Sequence, residues 1–135
     1  MGGTEELMGA DMVQVLTPDG ELVLDLDLTV QDVQDLYRDM VIVRGLDTES
    51  ISLQRQGEMG LWTSLRGQEA AQIGAGRALS PHDMVFPSYR EHGVAYCRGV
   101  EQTALVNVWR GSEPGGWDPH AHNFAPYSIV IGAQT

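Results

Sequence analysis

The chain has 135 residues, 42% of them hydrophobic, and a formal charge of −11 that arises from eight arginines, no lysine and nineteen Asp and Glu residues. That balance repels phosphate polymers and argues against nonspecific nucleic-acid binding, so a phosphate site has to be a local exception built from a few Arg side chains. The lone Cys97 excludes an internal disulfide framework and fits a reducing cytoplasm; the chain also lacks the roughly 20-residue apolar run of a membrane span and the basic-then-apolar start of a secretory signal.

Residues 1–28 read as an acidic flexible or extended arm. Its first 12 residues have no periodicity, and two short β-prone runs, Val13 to Leu16 and Glu21 to Leu26, flank the turn signal Pro18-Asp19-Gly20. Thr29 and Asp32 have capping-box spacing, and Val30, Val33, Leu36, Tyr37, Met40, Val43 and Ile51 mark an apolar stripe, which predicts a helix over 29–56 ending at Gly57. A second helix fits 67–79, where Ala70, Ala71, Ala75 and Ala78 permit close packing and Pro81 stops it. Met84-Val85-Phe86-Pro87 reads as a short buried strand, followed by a polar turn from Ser88 to Gly93. In open α/β sheets the carboxyl end of a strand is where ligands bind. A third helix is expected over 100–110, then a Gly- and Pro-rich loop over 111–127. The final run from Ser128 to Thr135 reads as the entry to another helix, so the chain is expected to be the front part of a longer protein. The expected fold is α/β, mostly helical with a short parallel-sheet strand, and 29–135 form one incomplete domain.

Three patterns invite chemistry and are explained better by packing or by polar surface. Gly74-Ala75-Gly76 lacks the third glycine of a dinucleotide loop and lies inside a helical pattern, where small residues serve helix packing. His120-Ala121-His122 has only Asp118 nearby and reads as a polar loop, without a metal site. Cys97 follows Val94, Ala95 and Tyr96, as a small buried hydrophobe would. The stronger cluster is Tyr89-Arg90-Glu91-His92-Gly93. A phenolic hydroxyl beside a guanidinium fork can hold a phosphate through charge-assisted bonds, and a salt bridge between Arg90 and Glu91 or another acid is an equal alternative. His92 is a side chain able to move a proton near neutral pH, or an ordinary polar residue.

Taken in order, Leu53-Gln54-Arg55-Gln56-Gly57, Gly67-Gln68-Glu69-Ala70-Ala71, Asp83 to Phe86, Tyr89 to Gly93, Arg98-Gly99, Asn123-Phe124 and Ile131-Gly132-Ala133-Gln134 resemble the alpha subunit of thiamine-diphosphate-dependent 2-oxo acid dehydrogenases of the pyruvate and branched-chain type. The resemblance covers about residues 30–135. It implies the amino-terminal part of a thiamine diphosphate-binding fold and an oxidative decarboxylation in which the acyl group passes to a lipoyl carrier. Carried over residue by residue, it puts Tyr89 and Arg90 on the diphosphate, backbone groups of Ile129 and Ile131 on the aminopyrimidine, and His92 near the cofactor entrance, while Gln68-Glu69 helps to build the region. The implied partners are a beta subunit, in a heterotetramer, a lipoyl-bearing acyltransferase and a 2-oxo acid. The family's magnesium motif is expected beyond Thr135, so the chain alone is expected to be inactive. Thr63 stands where mammalian pyruvate-type members have histidine, which leaves the choice of substrate open. Two rival readings are a noncatalytic remnant that only binds a partner protein and an unrelated acidic α/β binding module.

Overall fold

The computed structural model describes residues 13–112 and 116–128, so the expectations for 1–12 and for the terminal apolar run lie outside the described residues. The chain divides into two units between Val33 and Gln34. In the first, the expected turn closes a small hairpin. The Val23 amide donates to the Val15 carbonyl (2.9 Å), Gly20 donates to Thr17 (2.9 Å), and Gly20 takes the φ of 86° that the turn requires. One antiparallel bridge, Leu16 to Leu22, is all the pairing it makes, and its apolar side chains remain largely exposed.

Helix α1 spans Val30–Arg55. Its start is a reciprocal cap: the Asp32 amide donates to Thr29 Oγ1 (3.1 Å), and the Thr29 amide and hydroxyl both donate to the Asp32 carboxylate (2.7 and 2.5 Å). Its end is a Schellman turn. Gly57, at φ 77°, donates to the Gln54 carbonyl (3.1 Å) and Glu58 to the Leu53 carbonyl (3.0 Å), which satisfies carbonyls the helix leaves free. Helix α2 spans Glu69–Ala78, α3 His92–Cys97, α4 Gln102–Arg110 and α5 Pro119–His122. Helix α4 closes as α1 does, with Gly111 at φ 68° and Ser112 donating to the Asn107 carbonyl (3.1 Å).

The buried face of α1 differs from the apolar stripe the sequence suggests. Asp39, Val43, Leu46, Asp47 and Ser50 are buried at helical spacing, while Val30, Val33 and Tyr37 are exposed. Val43 packs with Leu65 and Ile73, and Leu46 joins a larger core of Met59, Trp62, Val94, Ala95, Val100, Leu105, Trp109 and Phe124. Glycine lets α2 and α3 approach closely: a Cβ on Gly76 would fall 2.8 Å from Cys97 Cβ, and one on Gly93 2.9 Å from Gln72 Cβ. Of the small residues expected to serve packing, only Gly76 does so; Gly74, Ala70, Ala71, Ala75 and Ala78 face open space.

The expected strand over 84–87 is corrected to a single parallel bridge between Val85 and Phe124, and among the described residues there is no strand. The Val85 amide donates to Asn123 O (2.9 Å) and the Ala125 amide to Val85 O (2.8 Å). The next donor in a parallel ladder would be residue 87, and Pro87 has no N–H, so the pairing stops after one residue. The expected polar turn is shorter as well, because His92 and Gly93 already belong to α3.

Candidate functional site

Between the Val85 bridge and α3 the chain makes a tight turn around the Glu91 carboxylate. That group accepts from the Ser88 amide (2.9 Å), the Ser88 hydroxyl (2.8 Å) and the Arg90 amide (3.0 Å). Partial burial works to raise the Glu91 pKa, but the hydrogen bonds from Ser88 and Arg90 outweigh it and hold the carboxyl below its ordinary value. Glu91 therefore organises backbone and forms no ion pair with the Arg90 guanidinium, which sets aside the Arg90–Glu91 salt bridge. Arg90 donates through Nη1 to the Ser64 carbonyl and has no carboxylate within ion-pair distance among the described residues. Its Cζ lies 5.4 Å from the centre of the Tyr89 ring. The Tyr89 carbonyl accepts from Thr63 Oγ1 (2.6 Å), and the side chains of both residues are partly exposed.

Two neighbouring segments hold this turn in place. From α2, the Gln72 side chain donates to the Arg90 carbonyl (3.0 Å) and accepts from the Gly93 amide (2.8 Å), which seals the entry into α3. From the other side comes an irregular strap, residues 62–65, whose polar groups converge on Asp47. Trp62 Nε1 and the Leu65 amide donate to Asp47 Oδ1 (2.9 Å each), and the Ser64 hydroxyl donates to Oδ2 (2.8 Å).

His92 is fully buried beneath the strap, and its ring stacks on Trp62 with centroids 4.2 Å apart. The Thr63 carbonyl can only accept, so Nε2 carries the proton and donates to it (2.9 Å), and Nδ1 accepts from the Tyr127 hydroxyl (2.6 Å). Burial pushes its pKa down from 6.5 to about 4, with Thr63, Asp47 and Glu91 opposing the shift and Arg90 adding to it. This corrects the expectation of titration near neutrality: His92 is a neutral pillar between the strap and Tyr127 at pH 7. The same burial raises the Tyr127 pKa and keeps its phenol protonated.

Of the residues singled out in the sequence, Tyr89, Arg90 and His92 come together here, while Ile129 and Ile131 lie outside the described residues. Glu69 stands elsewhere, with one carboxylate oxygen paired to Arg44 and the other accepting from the Gly67 amide (3.0 Å). Asp47, Gln72 and Trp62 were missed as site residues. Only Trp62 carried a signal, as an aromatic on a loop; a lone Asp or Gln inside a helix reads as solvent-facing. In the histidine pair, Asp118 caps the short helix by accepting from the His120 backbone amide (2.9 Å), and His122 Nδ1 lies 3.1 Å from the Arg98 carbonyl. Among the described residues no three His, Cys, Asp or Glu side chains gather to hold a metal ion. A surface depression of about 350 Å³ lined by Cys97, Arg98 and His122 offers no anion grip, because Arg98 donates to the carbonyls of Ser80, Pro81, Asp83 and His122. Burial raises the Cys97 thiol pKa to about 11, which makes it a poor nucleophile. Among the described residues no helix is long and apolar enough to cross a membrane.

The turn presents the Arg90 guanidinium beside the Tyr89 ring on buried polar supports, and the relatives specify the class of protein. Residues 37–135 match the family described as the dehydrogenase E1 component, and the chain belongs to that family. It is 44% identical to the 3-methyl-2-oxobutanoate dehydrogenase subunit alpha of Mycobacterium tuberculosis, over 96% of this chain and 37% of the relative. To the pyruvate dehydrogenase E1 component subunit alpha it is 38% identical in Staphylococcus epidermidis and 37% in Staphylococcus aureus, each over 92% of this chain and 34% of the relative. The chain thus spans little more than a third of the length of these curated relatives.

Proposed function

We propose that the chain is the amino-terminal part of the alpha subunit of a thiamine-diphosphate-dependent 2-oxo acid dehydrogenase, acting in the cytoplasm on pyruvate or a branched-chain 2-oxo acid. The observation that carries the reading is the state of Arg90. In a chain of net charge −11, this guanidinium sits partly buried beside Tyr89 with one donor given to a carbonyl and its charge matched by no acid among the described residues. Such a group fits a diphosphate, which takes bidentate bonds from a planar cation and a further bond from a phenol.

Thiamine diphosphate supplies the carbanion chemistry of decarboxylation when bound. The residues of this chain bind and orient. Arg90 and Tyr89 hold the anionic end, Thr63 and Ser64 fix those two residues through their backbone and side-chain bonds, and neutral His92, near the cofactor entrance, supports the strap through the Thr63 carbonyl. Backbone groups of Ile129 and Ile131 are proposed for the aminopyrimidine. A magnesium ion would draw its ligands from residues other than those described here, and no step is assigned to it. The acyl product would pass to a lipoyl-bearing acyltransferase, with a beta subunit completing the site. The family membership and the names of the relatives support the assignment to this reaction class.

The test is a calorimetric titration of thiamine diphosphate, with Mg²⁺, into the protein as its gene encodes it, together with any subunit that co-purifies. Arg90→Ala should weaken binding by about 2 kcal/mol or more, because a charge-assisted pair is lost. Tyr89→Phe should cost about 1 kcal/mol for one hydroxyl. Unchanged affinity in Arg90→Ala would remove the residue from the site.

A further inference from the structure

We propose that Asp47 is a positioning residue of the Tyr89–Arg90 grip, acting through the 62–65 strap. The inference rests on the cofactor reading above for the identity of the ligand and on geometry alone for the coupling. Asp47 lies on α1, fully buried, and accepts from three points of the strap: Trp62 Nε1, Ser64 Oγ and the Leu65 amide, at 2.8 to 2.9 Å. The two strap residues inside that span each hold one member of the grip. Thr63 donates its hydroxyl to the Tyr89 carbonyl (2.6 Å), and the Ser64 carbonyl accepts from the Arg90 guanidinium. Ser64 is thus the direct link, its hydroxyl on the carboxylate and its carbonyl on the cation.

The strap has no regular secondary structure to fix it, so its position depends on side-chain bonds. Asp47 supplies three of them, more than any other residue, and unlike Asp39 on the same helix it makes no ion pair with an arginine among the described residues. A buried carboxylate satisfied only by neutral donors is costly unless each bond is kept, and that requirement gives the strap one geometry. With Arg90 tied to a fixed carbonyl, its remaining donors are preorganised for a planar anion rather than ordered when the anion arrives.

The experiment compares thiamine diphosphate affinity, with Mg²⁺, in the gene-encoded protein carrying Asp47→Ala, Asp47→Asn, Ser64→Ala or Asp39→Ala. The last removes an acid of similar burial that bonds to Arg77 and Tyr96 and never touches the strap. Asp47→Ala should weaken binding at least tenfold. Asp47→Asn should restore it to within twofold of wild type, since the amide oxygen can still accept from Trp62 and Leu65 and the amide nitrogen can donate to Ser64. Asp39→Ala should stay within twofold. Should Asp47→Ala fail to fold, Ser64→Ala cuts one strap bond and keeps the carbonyl that holds Arg90; a weakening of about fivefold is then expected.

Affinity within twofold of wild type in Asp47→Ala, or in Ser64→Ala where it stands in, would overturn the inference. Equal weakening in Asp39→Ala would do the same, by showing that any loss of a buried acid suffices. A wild-type protein that binds no thiamine diphosphate would sink the cofactor reading separately. The coupling is then judged on the Arg90 Nε–H resonance, which Asp47→Ala, or Ser64→Ala in its place, must displace and Asp39→Ala must leave alone; an unmoved signal overturns it.

Discussion

Asp39 and Asp47 lie about two turns apart on the buried face of α1, and the protein satisfies them in opposite ways. Asp39 pairs with Arg77 from α2 and accepts from the Tyr96 hydroxyl (3.1 Å), so a formal charge meets a formal charge and two helices are tied to α1. The Arg77 side chain is about half exposed, and water shares the work of solvating the pair. Asp47 takes its hydrogen bonds only from neutral donors, and the segment it gathers is irregular. An acid matched by an exposed arginine can be lost with limited harm, because the arginine turns to water. An acid caged by buried neutral donors leaves those donors stranded when it goes. The first arrangement joins elements that already exist, and the second shapes the strap on which Tyr89 and Arg90 rest.

Removing the two carboxylates one at a time is the harshest test of that contrast. Asp47→Ala strands the Trp62 indole N–H and the Leu65 amide, at about 1–3 kcal/mol each, and should destabilise by on the order of 4 kcal/mol in urea unfolding at pH 7. Asp39→Ala should cost about 1–2 kcal/mol, given the exposure of its partner. Equal losses would mean that charge pairing and dipole caging are energetically alike here.

Acid separates the two regions by a different route. His92, stacked on the Asp47 strap, has a folded-state pKa of about 4 against 6.5 when free, so the unfolded chain binds more protons through that interval. Its contribution is complete above pH 6.5 and is lost as pH falls toward 4. A shift of this size corresponds to about 3 kcal/mol. Unfolding free energies at pH 7, 5.5 and 4.5 should fall for wild type and fall much less for His92→Phe. A matching slope in the variant would show that His92 does not carry the acid sensitivity; Glu69, which the Arg44 hydrogen bond holds below its ordinary pKa, loses its contribution only at lower pH.

The smallest expected effects sharpen the α2–α3 side. Gly74→Ala, in open space within α2, should stabilise by about 1 kcal/mol through helix propensity. Gly76→Ala gains the same propensity but drives a methyl into Cys97, where overpacking costs about 1–3 kcal/mol, so the net change should be destabilising. Thermal melts of the pair would check the difference in sign.

The helices were legible because their ends are local chemistry. Thr29 with Asp32, Gly57 after Arg55 and Gly111 after Arg110 mark boundaries that need no knowledge of the rest of the chain. The donor set of Tyr89-Arg90 was legible for the same reason, since a guanidinium beside a phenol offers the same donors wherever it folds. The strand over 84–87 was overread because Pro87 was counted within it, whereas its missing N–H ends the ladder after Val85. Helix α3 was hidden by its polar start, His92-Gly93, which reads as turn until Gln72 and Glu91 are seen to anchor it.

What the sequence determined by itself was therefore the longer helices, the scarcity of positive charge, and the ordered motifs that carry family membership. The tertiary structure decided which polar groups are inside. Nothing in the spacing of Asp39, Asp47 and Ser50 tells a solvated face from a buried one, because helical periodicity groups residues onto a face without saying what that face meets. Partners for Asp47 come from residues 62 to 65 and the pillar under them from His92, contacts that exist only after folding brings distant segments together, and burial then makes each of those bonds obligatory.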